Sequence, residues 1–389
     1  MKILFVSLFL PMEKAYHAGG RYVYELIKNL SLNHEIYLAT RLEETETPYL
    51  ENLKVLCRAI YSYTYRTVPK RSVIDVVRLV LNYIGFSRYA NKLTRDGAFD
   101  IIQVEWIEAA LMMKKGKAPM VLDAHDVITK PAERSMRRSQ GIVRLLHVFR
   151  HFLMKTVELR IVRRFDMIFT LSDYDRKYLL DMNPRLRVQT VPIPAGMDIT
   201  DRIFERDENT ILFLASYKYR KVNVDAALWF YRSVFPRVRE AIPEARFVIA
   251  GYGPPEELTT LPARDSNVTV TGFVEDIDEV YKKATVFVAP ILVGGGIIVK
   301  ILDAMAAGTP VVTTSYGNEG IGAKPGRDLL IADDPESFAS AVINILRDEG
   351  LAEDLGKNAR AFVRKNFSRE ATRNKIEAAY KDLINSSHK

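Results

Sequence analysis

Short apolar runs alternate along the chain with stretches whose apolar residues recur at threes and fours. Ile3–Leu10, interrupted by Ser7, has the length of a strand. Pro11-Met-Glu-Lys14 follows it with no small-residue cleavage site, so the run reads as a buried first strand and not as a secretion signal. Gly19–Leu30 has helical spacing and is entered through a Gly-Gly loop. Further strands are predicted at Glu35–Ala39, Asp100–Trp106, Met120–Asp123, Phe165–Leu171 and Val188–Pro192, with Ser172 capping the helix after Leu171. The second half repeats the alternation. Its predicted strands are Asn209–Ala215, Ala245–Ala250, Val268–Thr271, Thr285–Ala289 and Pro310–Thr314. Its predicted helices are Asn223–Ile242 (capped by Asn223), Asp276–Ala284, Ile297–Ala307, Pro335–Asp348 and most of Leu351–Ile384. Strands alternating with helices over the whole chain predict parallel sheets with helices on both faces.

A chain of 389 residues has room for two such domains. Pro192, Pro194 and Gly196, followed by the charged run to Asn209, mark a boundary. The expected organisation is a first doubly wound domain over 1–192, a linker over 193–208 and a second domain over 209–370, with a terminal helix over 371–389. Ligands of such sheets bind outside the carboxyl ends of the strands, and two domains facing each other make a cleft. The single cysteine, Cys57, excludes a disulfide framework and a Cys-rich metal site. No stretch reaches the ~18 apolar residues of a membrane span, so a cytoplasmic protein is expected.

The net charge of +8 is unevenly spread. Residues 129–165 carry +8, residues 61–95 carry +6, and the remainder is −6. In the first of these segments Ile142, Leu145, Leu146, Phe149, Phe152, Leu153, Val157 and Ile161 keep helical spacing. Arg137, Arg138, Arg144, Arg150 and Lys155 are among its bases. The other segment interleaves Tyr61, Tyr63, Tyr65, Tyr83, Phe86 and Tyr89 with its own. Basic faces with aromatics suit an anionic membrane surface or nucleic acid. A core helix with a solvated charged back carries the same pattern.

Three glycines, Gly294, Gly295 and Gly296, precede a predicted helix that opens with Ile297 and Ile298. Glycines let a ligand approach the backbone, and the unpaired N–H groups at a helix start attract phosphate. A tight turn needing positive φ is the alternative reading. Asp303 lies further along that helix, where a carboxylate can accept hydrogen bonds from ribose hydroxyls. Gly19 and Gly20 form a smaller version of the same device. Lys218, Arg220 and Lys221 follow the first strand of the second domain, where cations would neutralise a leaving diphosphate. His125, beside Asp126, follows a strand and can bind a sugar hydroxyl or move a proton. Asp173-Tyr-Asp175 and Asp276-Ile-Asp278 stand where helix caps are expected, so no metal site is assigned to them. The nicotinamide glycine fingerprint, the Walker A loop and the G-x-S-x-G elbow are absent.

The chain resembles the retaining GT-B glycosyltransferases of family 4, in their bacterial envelope and exopolysaccharide branch. The resemblance rests on Thr271-Gly-Phe-Val-Glu-Asp276, Lys300-Ile-Leu-Asp-Ala-Met-Ala-Ala-Gly-Thr-Pro-Val-Val312 and Tyr316-Gly-Asn-Glu-Gly320. Asn223-Val-Asp-Ala-Ala-Leu-Trp229, Gly19-Gly20 and His125-Asp126 add to it. It implies two Rossmann-like domains, with the terminal helix crossing back onto the first. It also implies a nucleotide-sugar donor: backbone at Phe273 and Val274 on the base, Asp303 on the ribose, and amides around Gly295–Ile298 with Arg220 or Lys221 on the diphosphate. Gly19 and Gly20 would close on the donor, and His125 would contact the transferred sugar. No metal and no cofactor are implied. The resemblance further implies that the leaving phosphate helps to deprotonate the acceptor on the same face. Many members carry two glutamates eight positions apart in this region; here Gly295 and Asp303 stand in those places. The expected partners are the donor, a saccharide or lipid-linked acceptor and an anionic membrane surface, and not nucleic acid. The expected location is the inner face of the membrane. The competing readings are a UDP-sugar 2-epimerase of the same fold and a non-catalytic nucleotide-sugar-binding partner of a membrane complex.

Overall fold

The computed structural model describes residues 1–13, 18–65, 72–195, 199, 206–218, 220–293 and 297–387. The chain forms two compact units, Met1–Val191 with Arg373–Lys389, and Pro192–Thr372. Most of the segment 193–208 lies outside the described residues.

The first unit holds strands β1 (Lys2–Ser7), β2 (Glu35–Glu43), β3 (Ala59–Tyr65), β4 (Ile101–Glu105), β5 (Met120–Ala124), β6 (Met167–Thr170) and β7 (Val188–Thr190). They form one sheet in the order β3-β2-β1-β4-β5-β6-β7. Every pairing in it is parallel. β1, β4 and β5 are buried on both faces, which is why they read as mainly apolar runs, with Ser7, Gln103, Glu105 and Asp123 as buried polar exceptions. The second unit holds β8 (Thr210–Leu214), β9 (Arg246–Ala250), β10 (Val268–Gly272), β11 (Val286–Ala289), β12 (Val311–Thr313) and β13 (Leu330–Ile331), in the order β10-β9-β8-β11-β12-β13, again parallel throughout. Helices connect most of the strands in both units, giving two doubly wound α/β domains.

Several elements depart from the sequence reading. The helix expected over Asn223–Ile242 is broken into Lys221–Trp229, a π-helical turn Phe230–Val234, and Phe235–Ala241. Pro236 explains the break, because its ring cannot enter an unbroken i→i−4 ladder. Asn223 lies inside the first of these pieces and is not its cap. Gly19 and Gly20 sit in the first turn of the helix Ala18–Leu30 and not in a loop before it. The helix expected from Ile297 begins at Val299. β3 and the helix Val73–Asp96 occupy a segment read only as basic and aromatic. Its aromatics are structural: Phe86 is fully buried, and Tyr61, Tyr63, Tyr83 and Tyr89 pack on the first unit's core.

Ser172, Asp276, Asp334 and Asp348 cap helices through side-chain bonds to backbone N–H groups. The helix Arg369–Ser387 returns to the first unit: Arg187 pairs with Asp382 at 2.6 Å, and His34 meets Glu377 at 3.1 Å.

Gly251, directly after β9, has φ of 128°, and a Cβ there would stand 1.8 Å from the Ala215 carbonyl oxygen. Gly251→Ala combines a strained backbone with a clash against main chain. It should cost about 3 kcal/mol or more, read as an early unfolding transition; an unchanged transition would contradict this packing.

Candidate functional site

At the carboxyl edge of the second unit's sheet, β8 leaves through Ala215–Lys218 and reaches the helix Lys221–Trp229. Arg220 stands at that helix's N-cap position and is exposed, as is Lys221. The helix Val299–Ala307 follows β11 and carries Lys300 in its first turn. Lys300 Nζ donates to Asn223 Oδ1 at 3.1 Å, while Asn223 Nδ2 donates to the Ser216 carbonyl at 2.6 Å. Asn223 therefore ties the β8 loop to Lys300. The ammonium lies 4.9 Å from the Phe213 ring centre. Burial, and then the nearby Arg220, lower the Lys300 pKa to about 8. Among the described residues no carboxylate pairs with Lys300. A buried ammonium without such a partner, with a second cation near enough to lower its pKa, can accept an anion.

Asp303 lies three residues beyond Lys300 on the same helix and is half-buried. Phe273 follows Gly272, whose φ is 71°, and is 69% exposed. It meets Tyr252 edge to face, 6.4 Å between ring centres, and Lys218 Nζ donates to the Tyr252 hydroxyl at 3.2 Å. Val274 beside it is half-buried, as are Ile297 and Ile298 just before the helix. Gly294, Gly295 and Gly296 lie outside the described residues. The structure thus brings Arg220 and Lys300 together, places Asp303 on the same helix as Lys300, and gives Lys221 no contact with this group among the described residues. Lys300 was visible in the sequence only as part of a motif; its partner Asn223 was misread as a cap.

In the first unit, β4 and β5 end side by side and carry a second cluster. His125 follows β5 and is 7% exposed. Its Nε2 lies 2.7 Å from Glu105 Oε2, at the end of β4. Its ring stacks on Trp106 at 4.2 Å and 20°, and meets Tyr22 edge-on at 5.2 Å. Tyr22 donates to Asp123 Oδ2 at 3.0 Å. Tyr22 belongs to the same helix as Gly19 and Gly20, which puts the glycine pair on an element that touches this cluster. Burial pushes Glu105 up to about 8 and, with Glu105 as the second cause, Asp123 up to about 7; burial lowers His125. Ligand-type atoms of Glu105, Asp123 and His125 lie within 4.8 Å of one another. The Nε2–Oε2 separation is a hydrogen-bond length, so we read the cluster as sharing protons. The sequence reading took Gln103-Val-Glu-Trp106 as plain strand and missed these residues. Two polar residues at alternate positions of a buried strand were the available signal.

The basic segment behaves differently from a core helix. On the helix Gly141–Val162, Ile142, Leu145, Leu146, Phe149, Phe152 and Leu153 are all exposed, Phe149 by 67% and Phe152 by 68%. Only toward its end do Ile161 and Val162 enter the core. Arg144 and Arg150 are exposed beside the apolar residues, and Lys155 is half-buried. Arg137, on the preceding helix, is held by Glu133 at 2.6 Å. The side chain of Arg138 lies outside the described residues. Among the described residues no helix is long and apolar enough to cross a membrane.

Two family models match the chain: "Glycosyltransferase Family 4" over residues 19–200 and "Glycosyl transferases group 1" over residues 208–348. A phosphatidyl-myo-inositol mannosyltransferase of Mycolicibacterium smegmatis is 26% identical over 68% of this chain and 66% of its own length. An uncharacterised protein from the cps region of Klebsiella pneumoniae is 29% identical over 42% of this chain and 44% of its own length. The matched region therefore spans less than two thirds of either relative. Among solved structures, the sucrose-phosphate synthase of Thermosynechococcus elongatus superposes with a TM-score of 0.69 at 17% identity, covering 99% of this chain and all of that one. Anabaena HepE in complex with UDP superposes with a TM-score of 0.69 at 13% identity, over 98% of this chain and 100% of that one. With its two parallel-sheet domains and both family models, the chain belongs to the GT-B glycosyltransferases of the family 4 type.

Proposed function

We propose that the protein transfers a sugar from a nucleotide-sugar donor to a saccharide or lipid-linked saccharide, with retention of anomeric configuration and without a metal. The observation that carries the donor site is the Arg220–Lys300 pair, two neighbouring cations at the carboxyl edge of a parallel sheet. They would neutralise the diphosphate as its bond to the sugar breaks, the task a divalent cation performs elsewhere. Asp303 would accept hydrogen bonds from the ribose, and the exposed Phe273 with Val274 would hold the base. Relatives of the same fold bind UDP and UDP-glucose, which supports a donor of this class.

The chemistry follows from those roles. The C1–O bond to the leaving phosphate breaks, an acceptor oxygen bonds to C1 on the same face, and the acceptor's proton passes to the leaving phosphate oxygen. His125 would contact the transferred sugar. Glu105 and Asp123 beside it are fully buried, which favours supporting roles over attack on C1.

The exposed apolar stripe from Ile142 to Leu153, flanked by Arg144 and Arg150, is our basis for docking on an anionic membrane at its inner face. Such a surface would deliver a lipid-linked acceptor.

UDP, GDP, ADP or CMP should stabilise the protein against heat in EDTA, one of them by about 2.7 kcal/mol at a hundredfold excess over Kd. Asp303→Ala should remove about 2 kcal/mol of that nucleotide's binding, roughly thirtyfold in Kd. No shift with any nucleotide would overturn the donor site.

An anion bound at Lys300 favours the ammonium, so its pKa must rise above 8 on binding. Donor affinity should then fall as pH rises through about 8 in the free protein, and binding at alkaline pH should take up a proton. Calorimetry in buffers of different ionisation enthalpy reads this directly. Lys300→Met should abolish the uptake; uptake that persists in the variant would place the proton elsewhere.

The protein should co-sediment with phosphatidylglycerol vesicles at low salt and not with phosphatidylcholine ones. Phe149→Asp with Phe152→Asp should abolish that binding while leaving nucleotide stabilisation intact. Indifference of the native protein to anionic vesicles would sink the docking proposal.

A further inference from the structure

The buried residues behind His125 form a chain of hydrogen bonds that the transfer chemistry just described leaves unused. The Tyr380 hydroxyl, on the returning terminal helix, donates to Gln103 Oε1. Gln103 Nε2 donates to Glu105 Oε1 at 2.6 Å. Glu105 Oε2 meets His125 Nε2 at 2.7 Å. Gln103, Glu105 and Tyr380 are all 0% exposed. A second constraint acts on the ring's face. Trp106, stacked on His125, has φ of 71°, a left-handed backbone that a bulky residue adopts only under strain. Its N–H donates to the Asp123 carbonyl at 3.1 Å, locking the two strand ends together. Such strain costs about 1–3 kcal/mol and concentrates at functional sites.

We infer that Glu105 is a positioning residue for His125: oriented by Gln103 and Tyr380, it decides whether the free ring nitrogen, Nδ1, meets the substrate as a donor or as an acceptor. This rests on the proposal that His125 touches the transferred sugar. Since Gln103 donates to Oε1, the proton of a neutral Glu105 sits on Oε2 and is given to Nε2. The neutral imidazole then keeps its own hydrogen on Nδ1. When Glu105 loses its proton to solvent, the carboxylate needs a donor. The imidazole hydrogen moves to Nε2, Nδ1 becomes an acceptor, and the pair carries one negative charge.

Glu105 is held up to about 8 by burial, so the donor form prevails below that pH and is lost as pH rises through it. The other titratable groups facing the pair are Asp123 on β5, Tyr22 on the first helix, Tyr380 on the terminal helix, and Asp126 and Glu108 in the adjoining loops. Asp123 is the one that titrates in the same range, at about 7. Its Oδ1 has no hydrogen-bond partner among the described residues. A test must therefore separate the two carboxyls.

The experiment is the pH profile of kcat for nucleotide-sugar hydrolysis by the full chain, measured on the native protein and five variants with matched unfolding temperatures. The native profile should fall above about pH 8. Glu105→Gln keeps a permanent N–H toward His125 Nε2, so it should keep near-native activity at pH 7 and lose the fall. Asp123→Asn should keep the fall. Tyr380→Phe frees the Gln103 amide to flip its oxygen toward Glu105, which favours the protonated acid, so the fall should move to higher pH. A merely structural role for Tyr380 would lower kcat without moving it. Glu105→Ala should lower kcat by about tenfold or more with donor KM little changed. A fall that survives in Glu105→Gln, or that vanishes in Asp123→Asn instead, overturns the inference. His125→Ala separates the levels: full activity there removes the role given to His125, whereas an inactive His125→Ala with a native profile in Glu105→Gln removes only this inference.

Discussion

Parallel pairing is the constraint on which everything else rests. Every strand of both sheets runs the same way as its neighbours. Each connection must then leave one edge and return to the other, so all loops that follow strands gather at the carboxyl edge. That geometry brings Arg220, after β8, to Lys300, after β11, although 80 positions separate them in the chain. It likewise sets Glu105, at the end of β4, against His125, after β5. Chemistry that needs charges close together is obtained from residues that are far apart in sequence.

The two edges are built on opposite electrostatic terms. In the second unit burial, and then the nearby Arg220, disfavour the charge on Lys300, and among the described residues no carboxylate pairs with it, so a bound anion would favour the ammonium. In the first unit carboxyls are buried without a cation, and protons relieve the cost of burying charge. A site that holds a leaving diphosphate needs the first arrangement. A group that must present a fixed hydrogen-bonding face to an uncharged sugar is served by the second.

Fold class was legible from the sequence because buried parallel strands are continuous apolar runs. Ile3–Val6 in β1 and Val286–Ala289 in β11 declare themselves without help from any partner. Single-residue roles were less legible. Asn223 looks like a cap because it stands beside a helix start, and only the tertiary structure shows its amide bridging Ser216 and Lys300. The aromatics of β3 and the following helix look like a binding face, yet Phe86 is core, while the apolar stripe of Gly141–Val162 looks like core and is exposed. Helical periodicity says which residues share a face and nothing about what covers that face. Glu105 could not be assigned from sequence at all, since its meaning comes from β5 and from Tyr380 on the terminal helix.

The measurement that tests the central claim most directly is the fate of a nucleotide sugar in the presence of EDTA, followed by proton NMR on the full chain without acceptor. The account predicts slow release of the free nucleotide, and a sugar that appears first with the anomeric configuration it had in the donor. Release of the opposite anomer would contradict retention. Binding of the nucleotide with no turnover of any nucleotide sugar, with or without a saccharide acceptor and anionic vesicles, would contradict the transferase and leave a binding partner in its place.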